Sequence, residues 1–276
     1  TVLQLISLGY RQPAEFPWLQ PPSPEALASA LELLASLGAL DDHGSPTHLG
    51  KTMVGLPMHP RLSRMLIEAG PRGAVRKVAL WAALVSERRI LTDRKDVSFE
   101  LGVGKESDFL LLENALHAAR SVKYDRGKCV DMGLNASACR QVERTRELFL
   151  KQCRKAGFDT AAEGQERFPD AVKSLLVAYP DHVASLRSKD NRIYELAGGR
   201  RCGQDRRRVA SGAERIVPAA VEERGVGNGI KAVLSLATEG TRVWCQEMRP
   251  GRVGQTAGVA WGVRRMSGLC ECGTTL

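Results

Sequence analysis

The sequence lacks any long apolar run. The longest is Val78 to Val85, eight residues, whereas a membrane-spanning helix needs about 20. Neither do the residues after Thr1 show a basic stretch followed by an apolar one, so nothing marks a signal peptide and a cytoplasmic location is expected. Aromatic residues are scarce, at 5%, yet 43% of the chain is hydrophobic and 26% charged, which excludes wholesale disorder and allows a true core. At roughly 150 residues per domain, 276 residues suggest two domains and allow three small ones. The seven cysteines are odd in number and irregular in spacing, which argues against a disulfide framework and for free thiols in a reducing compartment. Only Cys270 and Cys272 stand close together, with no second pair and no following His to complete the four ligands of a structural zinc site.

Catalytic signatures are also missing. Gly50-Lys51-Thr52 ends like a phosphate-binding loop, but the first glycine of that loop should fall where Ser45 stands. Pro46 removes an N–H from the would-be anion nest, and no apolar strand precedes it. No acidic D-E-x-H box follows, so this chain alone is not expected to hydrolyse a nucleotide. His43, His48, His59, His117 and His182 show no metal-ligand spacing and read as structural or solvated. No G-x-S-x-G elbow singles out a nucleophile.

What is present is helical order followed by strand-like order. Ser23 fits an N-cap, with Pro24 at the first helical position, Leu27, Leu31 and Leu34 at helical spacing, and Gly38 as a stop. A turn at 41–46 and a short irregular ribbon at 47–60 lead into a second helix starting at Pro60, an order typical of a winged helix. From 71 to 188 the helical period dominates: Val75, Val78, Ala79, Ala82 and Val85 form one stripe, and Phe109, Leu112, Leu116 and Ala119 another. Asn135 fits the N-cap of a long charged helix to Ala156, and a further helix covers Asp170 to Ala178. The Asp-, Lys- and Gly-rich stretch from Leu91 to Ser107 is expected to be a mobile loop. After 190, RIYELA, ERIVPAAVEE, KAVLSLAT, TRVWCQEM and GVAWGVRRM alternate with glycine-rich turns, which suggests a small β-barrel or sandwich.

Charge is distributed unevenly along this order. Residues 1–50 hold one basic residue, Arg11, and five acidic ones, a balance of −4, so the other 226 residues carry +13 of the net +9. Such asymmetry suggests that the later part meets a polyanion. The densest cluster is Arg200, Arg201, Arg206, Arg207 and Arg208, flanked by Lys189, Arg192 and Arg215, in what reads as a basic loop between strands. Guanidinium groups so placed can neutralise phosphates and release counterions; a solvated loop is the alternative. Arg140, Arg144, Lys151, Arg154 and Lys155 on the long helix are the next candidates. Tyr194 and Trp244 could stack bases or fill the sheet's core.

The first 70 residues carry an ordered series. It runs Gln20-Pro21-Pro22, Ala26-Leu27, Leu34, Leu37-Gly38-Ala39-Leu40-Asp41, Thr47, Leu49-Gly50, Pro57, Pro60-Arg61-Leu62-Ser63 and Met65-Leu66. This series resembles the helicase-associated region of DEAH-box RNA helicases. His59 to Leu62, and AYPDHVASLRSKDNRIYELAGGRRC from Ala178, are similar to the bacterial HrpB-type subfamily. The resemblance implies a mixed multidomain fold: a degenerate winged helix over 1–70, a ratchet-like helical bundle over 71–188 and a small OB-like β-barrel over 189–276. It departs from the subfamily beyond about Arg252, where truncation or a frameshift is expected.

The resemblance further implies RecA-like ATPase domains before Thr1, holding ATP and magnesium, with no cofactor in this chain. The expected function is that of a C-terminal accessory region of an ATP-dependent RNA helicase, coupling single-stranded nucleic acid to that motor. Arg192, Arg200, Arg201, Arg206, Arg207 and Arg208 are the expected nucleic-acid contacts, with RNA and the RecA-like domains as partners and no membrane. A stand-alone winged-helix regulator and a protein-binding scaffold are the alternatives.

Overall fold

The computed structural model describes residues 1–92, 107–161, 167–188, 192–197, 199–204, 213–226 and 229–239. Helix α1 (Val2–Ser7) precedes α2 (Pro24–Ser36), which starts where the sequence placed it, with the Ser23 hydroxyl accepting from the Ala26 N–H at 3.2 Å. The turn expected at 41–46 is flanked by a single bridge between Leu40 and Pro46. Asp41 closes it, its carboxylate accepting from the N–H groups of His43 and Ser45. The following residues instead form α3 (His48–Val54). The reason is Thr47, whose hydroxyl accepts from the Gly50 N–H at 2.9 Å and donates to the Gly38 carbonyl at 2.7 Å, so that one side chain both caps α3 and ties it to the end of α2. Leu3, Ile6, Leu34, Leu37, Ala39, Leu40 and Met53 fill the small core of this region.

Helix α4 (Pro60–Ala69) leads into a larger core built by α5 (Val75–Ser86), α6 (Asp108–Ser121), α7 (Arg126–Asp131), α8 (Ala136–Lys155) and α9 (Phe168–Ala178). The two apolar stripes expected from periodicity are the buried faces of α5 and α6. Trp81 lies at their meeting point with no exposed surface, stacked on Phe109 at 4.5 Å between centroids and met edge-on by Phe168. Burying the indole requires a partner for its N–H, and Glu113 supplies one at 2.5 Å while Lys77 balances the carboxylate at 3.0 Å. The short helix α7 was not legible from periodicity, being six residues capped by Asp125.

The sheet comprises β1 (Ala184–Ser188), β2 (Ile193–Leu196), β3 (Arg201–Gln204), β4 (Arg215–Val226) and β5 (Gly229–Glu239). Its order is β1-β2-β3-β5-β4, antiparallel throughout except for β3 beside β5. The outer strands meet through a short seam, Ala184 opposite Ile216 and Ser185 opposite Arg215. Ala184, Tyr194, Leu196, Cys202, Ile216 and Ala237 form the core inside. Two strands lie where none was expected: β1 starts ahead of residue 189, and β3 occupies the first part of the stretch read as a basic loop. The segments TRVWCQEM and GVAWGVRRM, and the expected mobile loop between Thr92 and Ser107, lie outside the described residues.

Candidate nucleic-acid interface

Strand alternation decides which side chains of the sheet can meet a ligand. On β2 and β3, Tyr194, Leu196 and Cys202 turn inward, so Ile193, Glu195 and Arg201 turn outward. Arg201 therefore sits on a strand, opposite Glu195 in register, rather than on a loop. Arg187 of β1 joins the same face, its guanidinium donating to Glu195 at 3.2 and 3.3 Å. Arg187, Ser188, Ile193, Glu195 and Arg201 line an open cleft of about 490 Å³. Arg187 pairs with Glu195 and Arg201 stands across from it in register, so the face carries two guanidinium groups against one carboxylate and is net positive. Such a face suits phosphates, which Arg binds as a planar fork.

The other expected contacts are spread around this face. Arg200 stands immediately before β3, next to the tight turn made by Gly199 at φ +81°, with its carbonyl accepting from Leu196. Arg192 precedes β2 at the opposite end of that strand and holds φ +48°. Arg206, Arg207, Arg208 and Lys189 lie outside the described residues, as does Trp244. Arg215 is 7% exposed and faces Glu214 at 3.6 Å, which removes it from the set. Tyr194 is fully buried, with its hydroxyl donating to the Ala213 carbonyl at 3.1 Å. It is core and cannot stack on a base. Arg187 was missed from sequence because β1 was not recognised as a strand; its alternation is broken by an irregularity between Leu186 and Ser188.

A second basic surface follows α8. Arg140, Arg144, Lys151, Arg154 and Lys155 are all exposed there, and between residues 120 and 155 ten basic side chains face four acidic ones. Arg140 donates to the Tyr124 carbonyl at 2.7 Å, its guanidinium 5.9 Å from that ring's centroid. Glu143 is half-buried and engaged by Arg120, Arg146 and the Tyr124 hydroxyl. Its charge is thereby neutralised locally.

The Gly50-Lys51-Thr52 string does not fit a nucleotide. The Gly50 N–H is taken by Thr47, and its Cα lies so close to Ala39 that an added Cβ would stand 2.1 Å from that carbonyl oxygen. This glycine serves packing, and Lys51 is simply exposed on α3. Among the described residues no group of His, Cys, Asp or Glu could hold a metal ion. Cys129, Cys139, Cys153 and Cys202 are buried free thiols; Cys270 and Cys272 lie outside the described residues. No helix of the described residues is long and apolar enough to cross a membrane.

No protein-family model matches the chain. Over 199 residues, 69% of its length, the chain is 27% identical to the pre-mRNA-splicing factor ATP-dependent RNA helicase prp22 of Schizosaccharomyces pombe. The matched stretch covers 17% of that relative, so the chain spans only a small part of its length. The likeness is thus to a portion of an ATP-dependent RNA helicase, and it is distant.

Proposed function

We propose that the chain is the C-terminal accessory region of an ATP-dependent RNA helicase of HrpB-like type, which binds single-stranded nucleic acid and couples it to RecA-like ATPase domains. The single observation that carries this reading is the sheet. Its strand order, with β3 parallel to β5 and the remaining neighbours antiparallel, supports an OB-like reading, and its outer face presents Arg187 and Arg201 around an open cleft. In this reading the helices before it are the winged-helix and ratchet-like parts that the helicase resemblance implies. The distant similarity to an RNA helicase supports the same assignment.

In this reading ATP and magnesium belong to the RecA-like domains, and no step of hydrolysis is assigned to residues of this chain. Its own residues hold the strand. Arg187, Arg201, Arg200 and Arg192, together with Arg206, Arg207 and Arg208, take phosphates without reading bases. The five acidic residues of 1–50 are exposed and would repel a phosphate backbone, which favours packing rather than base reading by the first helices.

The test is single-stranded RNA affinity as a function of salt. Each phosphate neutralised contributes a log-log slope of about −0.7. Replacing Arg206, Arg207 and Arg208 by Gln should weaken all sequences alike and flatten the slope by up to about two units. Unchanged affinity and slope in the folded variant would return those arginines to a solvated loop. Tighter, sequence-dependent binding of duplex DNA would overturn the reading in favour of a winged-helix regulator.

A further inference from the structure

His59 to Leu62 and the first residues of the 178–202 stretch, the two segments that resemble the HrpB-type subfamily, lie side by side. Arg61 of α4 donates to both carboxylate oxygens of Asp181 at 2.7 Å each and to the Ala178 carbonyl at 2.9 Å. Its guanidinium carbon sits 5.0 Å from the centroid of the Tyr179 ring. His59 caps the same helix, its Nδ1 accepting from the Arg61 N–H at 3.3 Å. One side chain from α4 thus fixes the turn that joins α9 to β1.

That turn reaches into the sheet. His182 follows Asp181 directly, and its Nδ1 lies 3.0 Å from the Pro218 carbonyl of β4. A carbonyl only accepts, so Nδ1 carries the proton and donates. The register partner of Pro218 on β5 is Ala237, whose N–H donates to the buried carboxylate of Asp108 at 3.0 Å. Asp108 is the first residue of α6, and Ser107 beside it bridges Thr238. Both contacts fall beyond the short seams of the sheet. β1 meets β4 only as far as Ile216, and β3 meets β5 at Val233 and Leu234. Beyond them, side chains from the helical region occupy the positions that a neighbouring strand would otherwise cover. The backbone departs from regular strand at the same place, Leu236 holding φ +53°.

We propose that Arg61, Asp181 and His182 on one side and Asp108 on the other form a two-point clamp that grips the Pro218–Ala237 pair and locks the sheet to the helices as one body. Each point joins elements far apart in sequence, so neither forms without the tertiary fold. Arg rather than Lys is required at position 61, because only a planar fork engages both oxygens of Asp181 while also reaching Ala178 and lying against Tyr179. The clamp stands on geometry alone. Its role as the path by which strand binding on the sheet is felt by the helices rests on the helicase reading.

Amide hydrogen exchange of the whole chain tests the clamp without RNA or ATP. In Asp108→Ala, exchange at Ala237 and along β4 and β5 should rise about ten- to a hundredfold, the factor by which loss of a charged hydrogen bond shifts a local opening. Asp108→Asn keeps an acceptor oxygen and should restore most of the protection. Arg61→Lys keeps the charge but loses the fork, and should raise exchange at His182, whose N–H donates to the Tyr179 carbonyl, and in β4 while leaving α5 and α6 protected. The clamp is wrong if Arg61→Lys leaves the sheet's exchange unchanged, or if either variant loosens helices and sheet to the same degree. The helicase reading fails separately, by absence of RNA binding in a chain whose clamp is intact.

Discussion

Replacing Gly50 by Ala isolates the role of a glycine whose close approach to the neighbouring backbone leaves no room for a side chain. The new Cβ would stand 2.1 Å from the Ala39 carbonyl oxygen against a floor of 3.0 Å, a deficit of 0.9 Å that only backbone movement can supply. That carbonyl is already committed, accepting from the Thr47 N–H at 3.0 Å and from its hydroxyl at 3.3 Å, and Ala39 has no exposed surface. Moving it loosens the cap of α3 and the small core around Leu37 and Met53. Overpacking of this kind costs about 1–3 kcal/mol. Loss of the two Thr47 contacts adds about 1 kcal/mol, and the better helix propensity of Ala returns about 1 kcal/mol. The net loss is about 1–3 kcal/mol, which a urea slope of about 2–3 kcal/mol per molar converts into a midpoint lower by roughly 0.3–1.5 M. Circular dichroism through a urea titration measures it. Gly127 of α7 is the control, since its only near neighbour is the Asp125 carboxylate at 3.4 Å, and Gly127→Ala should hold or raise the midpoint. A Gly50→Ala protein as stable as the parent would refute the packing role. Lys51→Ala should change neither the midpoint nor any response to added ATP; stabilisation by ATP that depends on Lys51 would reinstate a phosphate loop.

Phe109→Ala removes the ring stacked on Trp81 and should cost about 3–5 kcal/mol in the same titration, with loss of the near-ultraviolet signal of that indole. Burial pushes the Cys139 thiol up to about 12 and the Cys153 thiol up to about 11, so neither should react with a disulfide reagent at neutral pH until the chain unfolds; rapid labelling of either in the native protein would contradict their buried positions. Burial alone would raise the Glu68 carboxyl, but its hydrogen bonds and charge contacts with Arg72 and Arg64 outweigh that and hold it below the usual range. A carboxyl lowered in the folded state stabilises above its ordinary value near 4 and loses that contribution as pH falls through the folded value. Glu68→Gln should therefore flatten the decline in stability on acidification, and an unchanged slope would show the ion pairs to be inert.

Sequence by itself determined most of the helical region, because its longer helices carry their own signals within a turn or two. Ser23 and Asn135 cap where they were expected to, the apolar stripes of α5 and α6 are buried, and the start at Pro60 is the start of α4. In the sheet β2, β4 and β5 were legible, each falling within an alternating or β-branched run bounded by turn residues. β3 is four residues long and basic at its start, so its local pattern matches a loop, and only pairing with β2 and β5 makes it a strand. α3 was hidden for a related reason: its cap residue is stabilised as much by the Gly38 carbonyl, nine residues earlier, as by its own helix. The candidate site divides the same way. Composition pointed to arginines, but only strand pairing set Arg187 and Arg201 on one outer face, withdrew Arg215 behind Glu214 and buried Tyr194. The clamp on Pro218 and Ala237 was invisible, because a hydrogen bond between residues 129 positions apart leaves no local pattern in the chain. Short-range preferences are written into neighbouring residues, whereas which buried polar group meets which partner is decided when the layers close and water leaves.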